Sequence, residues 1–282
     1  MKVITSISKI RSIITNAKLQ KRSIGFVPTM GALHEGHLSL FRRCREENDC
    51  VVVSIFVNPL QFAPMEDFAS YPREQKRDIF LTKKENIDIV FHPSVKEIYP
   101  KSFLTNVRVE KITETLCGKF RPGHFQGVAT VVAKLLNIVT PDILYLGQKD
   151  AQQCVVIQQM VHDLDFPVKV KVLPTIRERD GLAMSSRNKY LTERQRRQAP
   201  IIYKSLCLAE EKILAGERRP SYITAMMQKT IEDNSSAKID YIDCVDAKTL
   251  EPLKTLKGKV LIALAAWFGG ARLIDNIMLQ VK

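Results

Sequence analysis

The chain has 282 residues, 45% hydrophobic and 26% charged, an ordinary globular usage that excludes collagen, coiled coil or disorder as a description of the whole. Its length predicts one large or two modest domains. Lys and Arg number 43 against 30 Asp and Glu, and the resulting charge of +13 points to polyanionic partners or to solubility alone.

Strand-like and helix-like segments alternate along the first part of the chain. SIGFVPT (23–29) is a short β-rich run ending at a proline. GHLSLFRRCREEN (36–48) has helical spacing through Leu38, Phe41 and Cys44, and VVVSIFV (51–57) is the continuous β-branched run of a buried parallel strand. Residues 73–86 are polar and helical, and DIVFHP (88–93) is a strand. A helix follows over 127–139, with Val128, Val132, Leu135 and Val139 on one face; then a strand over 142–147, a helix over 150–164 and a strand over 167–175. This order predicts a parallel sheet with helices on both faces.

After residue 175 the pattern changes. A helix is expected from Thr192, whose spacing to Gln195 is that of a capping box, with Ile202, Leu206, Ala209 and Ile213 on one face. A second helix covers 220–233, and three strands cover 237–246, 258–268 and 271–279 with Gly269–Gly270 as a turn. The expected fold class is α/β. A Rossmann-like sheet domain would span 1–175 and bind nucleotide and substrate, and a smaller C-terminal α+β lid domain would span 176–282. No internal repeat or low-complexity tract interrupts the chain.

Four clusters carry chemistry. In VPTMGALHEGHLSL (27–40) a strand ends, a small-residue loop follows and a helix starts near Gly36. Helix N-termini offer free N–H groups and positive dipole to phosphate, and His34 and His37 are placed to face the same anion. The histidines are three apart, not the four that HExxH zinc binding needs. FVNPLQF (56–62) sets Asn58 and Gln61 after a strand, although a turn capped by Asn-Pro reads the same way. YLGQKDAQQ (145–153) repeats strand, glycine and helix start. It offers Lys149 as a phosphate cation and puts Gln153 on the helix side shared with Lys149 and Asp150. In RERDGLAMSSRNKYL (177–191), Ser185, Ser186 and Arg187 supply hydroxyls and a donor fork for an oxyanion chain, or else a solvated turn. Together they imply a nucleoside triphosphate at the C-terminal edge of the sheet. Walker A and GxGxxG patterns are absent, as is a nucleophile elbow, so direct nucleotidyl transfer is the expected chemistry.

These motifs resemble those of the pantothenate synthetases, the pantoate–β-alanine ligases. The likeness covers the whole chain through VPTMGALHEGH, VSIFVNPLQF, YPR (71–73), PSVKEIYP (93–100), RPGHFQGV (121–128), LGQKDAQQ, DGLAMSSRNKYL and AAWFGGARLIDN (265–276). That family lies within the nucleotidyltransferases bearing an HxGH-type motif and a later KMSKS-like loop, which here reads MSSRN with Arg187 in place of lysine. The resemblance implies activation of (R)-pantoate by Mg²⁺-ATP to an adenylate, followed by attack of β-alanine to give pantothenate and AMP. It implies ATP contacts at Met30, Gly31, Ala32, Leu33, His34, Glu35, Gly36, His37, Gly147, Gln148, Lys149, Asp150, Ile176, Met184, Ser185, Ser186 and Arg187. His37 would be the general acid, with His34 and Lys149 as its catalytic companions. Gln61 and Gln153 would bind pantoate, Gln61 also β-alanine. The metal-coordinating groups are left unassigned. Two positions depart from the family pattern: Gln148, where glutamate is common, and Gln126, where arginine is common. A homodimer through the N-terminal domain is also implied.

No apolar run approaches the roughly 20 residues of a membrane span, and the basic residues of MKVITSISKIRSII are scattered, so neither a span nor a signal peptide is expected. Cys44, Cys50, Cys117, Cys154, Cys207 and Cys244 form no CxxC pair and read as reduced, mostly buried thiols of a cytoplasmic protein. The rival readings are a nucleotidyltransferase that leaves the nucleotide on its product, and a nucleic-acid-binding protein suggested by Arg194, Arg196 and Arg197. The latter arginines lack the interleaved aromatics that base stacking needs.

Overall fold

A computed structural model describes residues 1–63, 66 and 68–282. The chain opens with β1 (Lys2–Ile4) and α1 (Ile7–Leu19), followed by β2 (Ile24–Thr29), α2 (Glu35–Glu47), β3 (Cys50–Ile55), α3 (Gln75–Lys84) and β4 (Ile89–Phe91). Two short helices, α4 (Val95–Ile98) and α5 (Leu116–Phe120), precede α6 (His124–Val139), β5 (Ile143–Gly147), α7 (Ala151–Asp163) and β6 (Lys169–Leu173). The remainder comprises α8 (Glu193–Gln198), α9 (Ile201–Leu214), α10 (Pro220–Asn234), β7 (Lys238–Asp246), β8 (Gly258–Phe268) and β9 (Ala271–Val281). These pack as two units. One comprises Met1–Val109, Arg121–Gly147 and Val156–Pro174; the other comprises Glu110–Phe120, Gln148–Val155 and Thr175–Lys282.

The first unit is Rossmann-like. Its six strands pair in parallel in the order β1-β4-β3-β2-β5-β6. From β2 the chain builds outward through β3 and β4, then crosses back to start β5 on the other side of β2. That reversal is the switch point at which open α/β sheets take their ligands, beyond the strands' carboxyl ends. Met30 follows β2 there, and Gly147 closes β5. Val27, Val51, Val53 and Tyr145 share a buried cluster with Phe41 and Cys44 of α2. Phe26 and Val52, one residue out of phase, are equally buried, and α6 packs against β2. Burial on both faces explains why β3 reads as an apolar run broken only by Ser54, itself fully buried.

In the second unit the antiparallel sheet β7-β8-β9 works the same way. Val260, Ile262, Leu264, Ala266 and Phe268 of β8 pack with Ile202, Leu206, Ala209 and Ile213 of α9 and with Ile223, Met227 and Ile231 of α10. Leu261 and Ala263, on the opposite face of β8, join Leu116, Ala151, Val245 and Leu250. The capping box is present: Thr192 N donates to Gln195 Oε1 at 2.9 Å, and Gln195 N to Thr192 Oγ1 at 3.3 Å. The single helix expected from Thr192 is two, α8 and α9. Pro200 between them has no N–H for the carbonyl one turn back, so the ladder breaks.

Candidate active site

The loop between β2 and α2 is held from below. Thr29 Oγ1 donates to Ser54 O at 2.7 Å and accepts from Gly31 N at 3.2 Å. Gly31 has φ +82°, and a Cβ there would lie 2.9 Å from Asp78 Oδ2, so glycine is required on both counts. Asp78, on α3 and 1% exposed, accepts from Ala32 N and Leu33 N, each at 2.9 Å. Burial pushes this carboxyl above its ordinary value, while the two amides draw it back. The amides of Ala32 and Leu33 therefore shape the loop. The first-turn amides of Glu35 and Gly36, which have no intrahelical acceptor, are the donors that a helix start of this kind offers an anion.

His34 caps α2, and its amide donates to His37 Nδ1 at 3.3 Å. The two rings lie 4.1 Å apart, centroid to centroid. Because Nδ1 of His37 accepts that amide, the proton of the neutral ring sits on Nε2.

Gln61 sits in the turn after β3 and is buried. Asn58, 1% exposed, donates from Nδ2 to Gln61 Oε1 at 3.1 Å and to Gly127 O at 3.0 Å. Its Oδ1 accepts from Leu60 N at 3.3 Å and from the Tyr99 hydroxyl at 2.9 Å. These contacts settle which way both amides face. Gln61 keeps its carbonyl on Asn58 and turns Nε2 toward Met30 Sδ, a weak acceptor 2.9 Å away. Met30 and Gln61, expected in different roles, are thus neighbours. Asn58 does cap the turn, and it also aims Gln61.

In the second unit, Gln148–Asp150 forms a 3-10 turn leading into α7, with Lys149 Nζ 3.7 Å from Asp150 Oδ1. The adjacent glutamines separate in role. Gln152 is spent on structure, accepting from Cys117 N and donating to the carbonyls of Ile112 and Thr115 at 2.8–2.9 Å. Gln153 is half-buried, and its side chain makes no hydrogen bond among the described residues. Ile176 O accepts from Met184 N at 3.0 Å, tying two expected ATP positions together. Ser185 Oγ accepts from Arg187 N at 3.2 Å, and Asn188 Nδ2 donates to Glu178 Oε1 and Ala183 O at 2.8 and 3.1 Å. Arg196, part of the basic run, is engaged with Glu178 and Asp180 at 2.5 Å each.

The chain matches the sequence profile of the family described as Pantoate-beta-alanine ligase over residues 2–278. The chain belongs to the pantoate-beta-alanine ligase family. It is 52% identical to the pantothenate synthetase of Moorella thermoacetica over 282 residues, all of both chains. Among solved structures, it resembles the pantothenate synthetase of Thermus thermophilus, with TM-score 0.93 and 43% identity over 98% of this chain and 99% of the other. It also resembles the pantoate-beta-alanine ligase of Francisella tularensis in complex with beta-gamma ATP and beta-alanine, with TM-score 0.80 and 40% identity over 99% and 97%.

For a ligase of this family, the cysteines matter by their inertness. All six are free of disulfides, and burial pushes Cys44 and Cys244 up to about 12 and Cys50 and Cys154 upward too, which keeps these four thiols protonated and inert. Among the described residues no group of three His, Cys, Asp or Glu side chains could hold a metal ion, and no helix is long and apolar enough to cross a membrane. Sequence reasoning missed Asp78 and Gly127. Asp78 lies in a polar helix whose pattern gives no sign that one carboxylate turns inward; Gly127 lies in a quoted motif, but its role is a contact 66 residues away in sequence, with Gln61.

Proposed function

We propose that this protein joins (R)-pantoate to β-alanine at the expense of ATP, through a pantoyl adenylate. Membership of the ligase family over nearly the whole chain carries the reading, and the local geometry supports its mechanism. A pantoate carboxylate oxygen attacks the α-phosphorus, the bond to the bridging oxygen breaks, and pyrophosphate leaves. The amine of β-alanine then attacks the acyl carbon, expelling AMP and giving up its proton. Carboxylate alone is a poor acyl donor because its leaving group would be oxide; the adenylate supplies a phosphate instead. The sequence sets no Cys or Ser in a nucleophile elbow, so the acyl group stays on AMP rather than on the enzyme.

The Nε2–H of His37 donates to oxygens that gain charge as phosphorus becomes five-coordinate, with His34 beside it and Lys149 adding positive charge. Residues 30–37, Gly147 to Asp150, Ile176 and Met184 to Arg187 contact ATP. Gln61 and Gln153 take pantoate through neutral amides, which suit hydroxyls and a carboxylate without a buried counter-charge; Gln61 also meets β-alanine. Residues 1–175 serve nucleotide and pantoate binding, with their 110–120 and 148–155 segments grouped in the second unit, whose 176–282 part acts as the lid. Magnesium fits as an ion that arrives on the triphosphate, since it keeps phosphates and waters as most of its ligands, and it would supply charge neutralisation there. The protein acts as a cytoplasmic homodimer on small molecules, without nucleic acid or membrane. The test is release of AMP on mixing protein with pantoate, β-alanine and Mg²⁺-ATP. AMP formed only when all three are present supports the ligase; a nucleotide retained on the product rejects it.

A further inference from the structure

Asp275 and Asn276 are consecutive on β9, so their side chains leave opposite faces of the strand. Both are polar, and both are buried, at 2% and 3% exposure. Asn276 Nδ2 donates to Gln148 O and to Lys149 O, each at 3.0 Å, and its Oδ1 lies 3.4 Å from Gln148 Nε2. Only a carboxamide brings two donors on one atom to two successive carbonyls and keeps an acceptor beside them. Asp275 grips Arg177 with both oxygens, at 2.5 and 3.0 Å. The Arg177 guanidinium lies 3.7 Å from the centre of the Tyr203 ring and donates to Gly181 O at 3.1 Å. Arg177 directly follows Ile176, whose carbonyl is paired with Met184. Asp275 Oδ1 also accepts from the Asn276 amide at 2.8 Å, which joins the two grips.

We propose that Asp275 and Asn276 are positioning residues for adenylation. One strand holds the Gln148–Lys149 turn through Asn276 and the Ile176–Arg177 segment through Asp275, keeping Lys149 in register with the Ile176–Met184 pair. The proposal rests on the assignment of Lys149 and Ile176 to ATP. Neither β9 residue touches substrate; each acts through the backbone or side chain it holds. Placement of this kind is what transition-state charge stabilisation depends on, and a displacement of about 1 Å can cost about 100-fold in rate.

The experiment compares Asn276→Asp, Asn276→Ala and Lys149→Ala in the full-length protein. Asn276→Asp is nearly isosteric but turns an oxygen toward the two carbonyls; Asn276→Ala removes the donor without repulsion. Three readouts are taken: pantoate-dependent exchange of pyrophosphate into ATP, single-turnover transfer from preformed pantoyl adenylate to β-alanine, and the thermal midpoint. In whichever Asn276 variant stays folded, exchange should fall about 10- to 100-fold while transfer stays within about twofold. Lys149→Ala combined with Asn276→Ala should be no worse in exchange than Lys149→Ala alone. Equal loss of both half-reactions, or additive losses in the double variant, would mean that Asn276 only supports the fold and would overturn the proposal. Exchange lost in Lys149→Ala but kept in both Asn276 variants overturns it alone. Exchange that survives Lys149→Ala overturns the Lys149 assignment, and this proposal with it.

Discussion

Gly127, in the second turn of α6, makes room for the turn that carries Gln61. A Cβ built there would sit 2.2 Å from Leu60 O and 2.6 Å from Gln61 N. Ordinary contact begins near 3.4 Å, so Gly127→Ala forces the turn back by about 1.2 Å, the difference between 3.4 and 2.2. Two terms oppose each other in stability. Replacing a helical glycine by alanine gains about 1 kcal/mol, and overpacking costs about 1–3 kcal/mol. The net loss of about 0–2 kcal/mol lowers the melting temperature by only a few degrees in a protein of this size. Function should suffer more. Asn58 is bonded to Gly127 O and aims Gln61, so the shift misplaces the proposed pantoate contact by about the distance that costs 100-fold in rate. Steady-state kinetics with pantoate varied at saturating ATP, beside a thermal melt, read both effects. We expect kcat/KM for pantoate to fall about 100-fold with the ATP KM nearly unchanged. A folded Gly127→Ala protein with normal pantoate kinetics would refute the reasoning.

His37→Ala should lower turnover at least about 100-fold with little change in melting temperature if His37 is the proposed transition-state donor; near-normal turnover rejects that role. Gln153→Ala should raise the pantoate KM more than the ATP KM, because its amide is uncommitted while Gln152 is fully bonded; a shift confined to β-alanine kinetics would contradict this. Amides of Met184 to Arg187 should exchange with solvent more slowly once ATP is bound, and exchange indifferent to ATP counts against their nucleotide role. Glu217 accepts from the Arg219 guanidinium and from the amides of Arg219 and Arg218, which hold its carboxyl down to about 2 from an ordinary 4.5. Its stabilisation is therefore present above pH 4.5 and lost as pH falls toward 2. The gap in thermal midpoint between wild type and Glu217→Gln should narrow across that window; a constant gap would show that the pairing contributes nothing.

Much of the fold was open to reading because burial is periodic. The apolar run of β3, the alternation in β8 and the stripe from Ile202 to Ile213 each carry their environment in their spacing. The N-terminal elements went unread for different reasons. β1 is three residues long, too short to show a period, and α1 carries Ile10, Ile14 and Ala17 at helical spacing among scattered polar and basic residues that blur the stripe. Pro200 shows how a continuing apolar stripe conceals a helix break. At the candidate site, loops followed by helix starts were legible because the chemistry is local. Asp78, Asn276 and Gly127 were not, because each acts on a segment at least 45 residues distant. Their types, an aspartate, an asparagine and a glycine, look alike whether they face water or hold a loop.

In the proposed reaction an adenylate forms before β-alanine is used. Isotope exchange between pyrophosphate and ATP tests it most directly. Exchange should require pantoate and Mg²⁺ and proceed without β-alanine. Exchange appearing only when β-alanine is present would contradict it and favour a concerted route.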